Sequence, residues 1–228
     1  MNCSREFIFG IAFYKDIKSY VIDATDKNYD FSQEVAALVA RGSSIVNATS
    51  KIGDLSSSIN GSGGSIQGIE LTANLPLSLV VPALDGFGVV ATASNTTSSL
   101  AVPNRAGGSG STMELPGLSK MVSSLTAYYE KNGYSVRIAN RQRSAFVGSY
   151  LNVFASSAAT YIGSESVTDL QLGYEFNSGM LKGLSLTLQS NNLTDAEFRQ
   201  FEIRDGKEVE TGNFRYGKTF LFGLNYKL

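Results

Sequence analysis

Arg137, Arg141 and Arg143 share one phase of a segment whose other phase is Tyr134, Val136 and Ile138. A row of like charge lining a path attracts anions. The same row can pair with carboxylates, and Glu130, Asp169 and Glu175 occupy the polar phase of neighbouring segments, so ion pairing is the favoured reading. A second group of candidates lies in two long connections: Tyr150, Phe154 and Tyr161 in one, Phe198, Arg199 and Phe201 in the other. Aromatics and an arginine can grip a ligand, although loop packing or an aromatic girdle accounts for them more simply. The 228 residues include no histidine, which excludes His-dependent triads, His metal sites and imidazole bases. A hydrolase built on serine or carboxylates stays conceivable, yet no nucleophile and base pair stands out. No catalytic, cofactor-binding or metal residue is therefore assigned, and no cofactor is expected.

The elements that must carry these residues are strands. Every second side chain from Tyr216 to Leu228 is apolar or aromatic apart from Lys218, and the gaps hold Thr219, Gly223, Asn225 and Lys227. That is a strand greasy on one face. Seven more candidates precede it. The first runs from about Phe7 to Ile22 with Phe7, Phe9, Ile11 and Phe13 as its apolar phase. The others centre on Ile69 to Leu75, Phe87 to Ser94, Ser124 to Glu130, Tyr134 to Arg141, Asp169 to Phe176 and Leu184 to Gln189. No apolar run approaches the roughly 18 to 20 residues of a transmembrane helix. A membrane β-barrel hides its hydrophobicity by alternation.

The charges favour the barrel over a soluble sheet. Arg or Lys on the lipid face at mid-bilayer costs about 2–4 kcal/mol, falling to about 0–1 near the interfaces. Glu70, Glu130, Arg137, Arg141, Asp169 and Glu175 all keep to the polar phase, and the exceptions, Lys15 and Lys218, fall where the outer rim is expected. Connections alternate long and short: Asp23 to Gly63, Pro76 to Gly86, Ser99 to Ser119, Lys131 to Gly133, a further long loop, Asn177 to Lys182, and Asn192 to Arg215. Long external loops and short periplasmic turns would point the first strand outward and the last inward.

Local motifs fit this plan. Asn132-Gly133 tolerates positive φ at both central positions of a hairpin. Gly61 to Gly64 lacks the spacing and the following Lys-Ser/Thr pair of a phosphate cradle, and reads as a hinge. Ser32 to Arg41 suits either a short helix, with Ser32 as cap and Glu34 near its start, or an irregular loop. Asn192 to Thr194 matches a glycosylation triplet but reads as turn chemistry, with Asn192 and Asp195 bonding nearby backbone. Net charge is −1 with no basic cluster, which predicts no nucleic-acid partner. Cys3 stands alone, so no internal disulfide framework exists, and no apolar stretch precedes it as a lipoprotein site would need.

Several stretches together resemble the C-terminal part of TonB-dependent outer-membrane receptors of Gram-negative bacteria. They are Phe13 to Val21, Asn60 to Leu71, Leu84 to Val89, Glu114 to Lys120, Tyr128 to Ile138, Asn191 to Asp195 and the terminal Tyr216 to Leu228. The resemblance implies an all-β fold: about eight antiparallel transmembrane strands from the end of a 22-stranded barrel occluded by a plug. It departs from the family at Leu228, where Phe is usual. Residues 1–228 would then be a partial barrel without plug or signal peptide, unable to transport alone. The implied role is uptake of a scarce nutrient, an iron chelate, cobalamin or an oligosaccharide. The implied partners are outer-membrane lipid, the missing N-terminal barrel and plug portion, and the TonB complex through that plug only. The rivals are a small closed eight-stranded porin or anchor, since eight is an allowed number, and a soluble all-β binding module or enzyme.

Overall fold

The computed structural model describes residues 6–43, 51–102, 111–153 and 156–227; Cys3, Phe154 and Leu228 lie outside them. In chain order the strands begin with β1 (Phe7–Ile17) and β2 (Tyr20–Asp30), a helix α1 (Ser32–Ala40), then β3 (Ile52–Gly61), β4 (Gly64–Pro76) and β5 (Phe87–Val102). The middle is β6 (Ser111–Met113), β7 (Met121–Lys131), β8 (Tyr134–Arg143), β9 (Phe146–Val153), β10 (Ser156–Ile162) and β11 (Glu165–Glu175). The chain continues with β12 (Leu184–Asn191), β13 (Glu197–Arg204), β14 (Lys207–Arg215) and β15 (Thr219–Tyr226).

Eight of these strands form one wall in the order β1-β4-β5-β7-β8-β11-β12-β15, each antiparallel to its neighbours, with the short β6 added on β5. They are the eight expected from period-two alternation. Six reach ten residues or more, while β12 and β15 have eight each. Among the described residues β1 pairs only with β4 and β15 only with β12, so the wall is open at both edges.

The long connections differ from the expected loops, because they too are strands. Between Asp23 and Gly63, β2 and β3 pair as a ribbon with α1 between them in the chain, and β9–β10 and β13–β14 are hairpins. Their sequences, such as KEVETGNFR in β14, carry no continuous apolar phase, so alternation cannot announce them. What had read as one strand from Phe7 to Ile22 breaks at Lys18 and Ser19, where the chain leaves its β4 partner for β3. Gly61 to Gly64 is the return point: Gly63 has φ +82°, and a Cβ there would meet Ile17 O at 1.9 Å. Helix α1 forms as one of the two readings, but Ser32 is not its cap. Asp30 Oδ1 accepts hydrogen bonds from the Ser32 N–H at 2.9 Å and from its hydroxyl at 2.5 Å, and these hold the Asp30 carboxyl below its ordinary range.

Register gives the wall two unlike faces. Directly opposed residues share a face, so rows can be read across β7, β8 and β11: Tyr129-Val136-Leu172, then Ala127-Ile138-Leu170 on the apolar side. Phe220, Phe222, Leu224 and Tyr226 of β15 fall on that side opposite the apolar phase of β12. These side chains stay open, with Leu125 56% and Phe222 71% exposed, and only Leu100, Val147, Ile162 and Phe201 form a buried apolar core among the described residues. At the short-turn end the apolar face carries a girdle: Phe87 lies 4.6 Å from Tyr129, Tyr134 4.6 Å from Tyr174, and Tyr174 4.8 Å from Phe176, by ring centroids.

Strand β1 corrects one expectation. Its pairing sets Phe9 opposite Thr72, Ile11 opposite Glu70 and Phe13 opposite Gly68, which puts Phe7, Phe9, Ile11 and Phe13 on the polar face. Ile8, Gly10, Ala12 and Tyr14 occupy the apolar face instead. Lys15 accordingly belongs to the polar face, where its ammonium stands 5.4 Å from the Phe13 ring centroid. A strand apolar in both phases cannot reveal its facing alone; the β4 ladder decides it.

The Asn132-Gly133 hairpin behaves as expected, with φ of 54° and 84°. A Cβ on Gly133 would also meet Glu175 O at 2.4 Å, whereas one on Gly179 (φ +76°) meets nothing within 4 Å. Gly133→Ala therefore lowers the urea midpoint of the folded chain more than Gly179→Ala, which bears only the left-handed penalty of about 1 kcal/mol.

Candidate functional site

The polar face carries a ladder of ion pairs that climbs from the short-turn end toward the long loops. Arg137 Nη2 lies 3.3 Å from Glu130 Oε1, Arg141 Nη2 2.9 Å from Asp169 Oδ2, and Arg143 Nη2 2.8 Å from Glu165 Oε2. Pairing, the favoured reading of this row, is what forms. Glu175 does not join it, and Glu165 does. Glu165 stands four residues before Asp169 in the same phase, so extending the β11 alternation backwards would have found it. Exposed pairs of this kind are worth about 0–1 kcal/mol each. Their larger effect is to neutralise the arginine row.

Asp169 has a second task. Its Oδ1 accepts from the Asn192 N–H at 2.9 Å, and Asn192 in turn accepts from the Ala196 N–H at 2.8 Å and donates Nδ2 to Gly217 O at 3.0 Å. One asparagine, held at φ 53°, thus fastens the entry and exit of the last long loop to the ladder. The turn reading of the triplet holds for Asn192. Asp195 takes a left-handed φ of 55°, but its buried Oδ1 bonds to none of the described residues.

Above the wall, two long loops become one body. Strand β10 pairs with β13, joining both hairpins into a four-stranded sheet ordered β14-β13-β10-β9. Tyr161 and Phe201 are opposite each other in that seam and stack at 5.3 Å with 13° between planes; Phe201, Val147 and Ile162 are buried. Phe198 lies 6.3 Å from both Phe214 and Tyr216 by ring centroids, and Arg199 is paired with Glu210 at 3.2 Å and Glu208 at 3.6 Å. The aromatic candidates Tyr161, Phe198 and Phe201 therefore hold the sheet together. Tyr150 is placed in β9 opposite Ala159, and Phe154 falls outside the described residues. Across β13–β14, Arg215 and Asn213 both reach Glu197, and their hydrogen bonds hold its carboxyl below the usual glutamate range while raising that of Arg215.

Residues 10–193 match a family described as TonB dependent receptor-like, beta-barrel. No curated protein and no solved structure matches the chain.

Two expectations follow from the joined loops. Asn192→Ala removes two side-chain bonds of about 1 kcal/mol each, so limited proteolysis between residues 196 and 215 accelerates roughly thirtyfold while the wall stays protected. A lowered folded-state pKa means that the Glu197 contribution is complete above the unfolded value near 4.3 and is lost as pH falls through the folded one. An NMR titration of Glu197 accordingly shows a midpoint below that of a free glutamate, and Arg215→Gln moves it upward.

Proposed function

Because the chain belongs to the TonB-dependent receptor-like β-barrel family, we propose that it supplies part of the wall and outer cap of a receptor taking up a scarce nutrient across the outer membrane of a Gram-negative bacterium. The family is one of outer-membrane receptors and transporters. The observation that carries the proposal is the open, two-faced wall: eight antiparallel strands with one apolar and one polar face and, among the described residues, unpaired edges at β1 and β15. An open edge in lipid leaves backbone groups unsatisfied at several kcal/mol each. The wall thus works as one sector of a wider barrel, the C-terminal strands of a plugged one, and the rest of that barrel is its partner.

In this reading the long-loop end faces outward and the β9–β10 and β13–β14 sheet forms part of the roof over the lumen. The nutrient is an iron chelate, cobalamin or an oligosaccharide, and the neutralised ladder lets it pass by exchanging hydrogen bonds rather than by charge attraction. TonB acts on the wall only through a plug in the lumen. A closed eight-stranded porin would need β1 against β15, and the wall lacks that pairing.

The experiment expresses residues 1–228 alone in a receptor-null strain and measures energy-dependent uptake of an iron chelate, cobalamin and oligosaccharides. No uptake is expected; uptake of any of them by this chain by itself overturns the reading.

A further inference from the structure

The apolar face changes character along the strands. Rows across β7, β8 and β11 run from Lys131-Tyr134-Tyr174 through Tyr129-Val136-Leu172 and Ala127-Ile138-Leu170 to Leu125-Asn140-Thr168 and finally Ser123-Gln142-Ser166. The last row lies eight residues beyond the first, Tyr134 to Gln142. At roughly 3.3 Å per residue that is about 26 Å along the strand, or about 20 Å along the membrane normal for a tilt of about 35–45°. The apolar band of a bacterial barrel is about 25 Å tall and is bounded by aromatic girdles. With the Tyr134–Tyr174 girdle at one boundary, the Ser123-Gln142-Ser166 row lies within about 5 Å of the other, at the approach to the headgroups.

At that level the wall is hollowed. An open cleft of about 410 Å³ is lined by Met121, Ser123, Gln142 and Ser166 of the apolar-face phase and by Ser144 and Ser164 at the strand ends, and is bordered by Arg143 and Glu165, whose ion pair belongs to the polar face. The amides below it are already committed to one another. Gln142 Nε2 donates to Asn140 Oδ1 at 2.9 Å, and Asn140 Nδ2 donates to the Ser166 and Thr168 hydroxyls at 3.0 Å each. Those bonds fix the side chains and leave the Ser166 hydroxyl proton and the Gln142 carbonyl oxygen to face a ligand. Ser144 Oγ accepts from the Met121 N–H at 3.1 Å, which leaves its own proton free to donate.

We propose that this cleft, on the lipid side of the outer rim, binds a neutral sugar unit of an outer-leaflet glycolipid headgroup. Its linings are matched donors and acceptors with no net charge, which suits hydroxyls and disfavours a phosphate. Its position at the end of the apolar rows selects a sugar tethered to lipid over one free in solution. The assignment rests on the proposed wall orientation.

The test embeds the full chain in phosphatidylcholine bilayers containing a diglucosyl-diacylglycerol that carries a photoreactive diazirine on the sugar, with mass spectrometry of the labelled sites. Labelling is expected at residues 121–123, 142–144 and 164–166. The triple variant Ser123→Ala, Gln142→Leu, Ser166→Ala should reduce it about tenfold, by removal of its hydrogen-bonding groups. A second arm places the diazirine on the acyl chain and expects labelling at Leu125, Ile138 and Leu170. If the acyl probe fails to reach those residues, the wall orientation falls and the cleft assignment with it. Acyl labelling without headgroup labelling at the cleft, or headgroup labelling unchanged in the triple variant, overturns the headgroup site alone. So does equal labelling by the same diazirine disaccharide without its lipid.

Discussion

The constraint on which everything else depends is that a backbone amide in hydrocarbon has no water to turn to. Each strand of the wall must obtain its hydrogen bonds from the strands beside it, which leaves the antiparallel ladder β1-β4-β5-β7-β8-β11-β12-β15 as the organising structure. A soluble sheet of this size would bury one face against a second layer. Here the large apolar side chains remain open, and the small buried core lies where the long loops meet. Uniqueness therefore comes from register more than from packing: a slip by one residue would carry Arg137, Arg141 and Asp169 to the lipid side at about 2–4 kcal/mol for each cation near mid-bilayer.

That same dependence explains what could be read from the chain in advance. The eight wall strands were legible because lipid on one side and water on the other impose period two, as in Leu184, Leu186 and Leu188 against Ser185, Thr187 and Gln189. The Asn132-Gly133 turn was legible because its φ values demand those residues. The hairpins of the long connections were not, since they bury only scattered residues such as Val147, Ile162 and Phe201 and so carry no continuous apolar phase. Strand β1 failed for the opposite reason. Phe7, Phe9, Ile11 and Phe13 form one apolar phase and Ile8, Ala12 and Tyr14 another, so only the pairing with β4 shows which meets Glu70 and Thr72. For the candidate site, the ion pairing of the arginine row was readable from charge in a shared phase, as was the bond of Asn192 to nearby backbone, while its links to Asp169 and Gly217 were not, because those partners are distant in sequence.

Electrostatics and shape divide the work. Along the polar face Arg137, Arg141 and Arg143 each meet a carboxylate, so the arginine row carries little net charge. The roof is tied down by polar contacts at its base, through Asn192, and by aromatic stacking at its seam, through Tyr161 and Phe201.

The β10–β13 seam has an evolutionary meaning. Loops of a barrel are usually free to lengthen, shorten or be exchanged one at a time, because each begins and ends on its own hairpin. Here half of a hydrogen-bonded sheet belongs to one loop and half to the other, and the stacked pair Tyr161 and Phe201 is shared between them. Neither can be replaced without orphaning a strand edge in its neighbour. Diversification of this roof has to proceed by concerted change in both connections, so they form a single heritable module although some thirty residues of wall separate them in the chain, from β11 to β12.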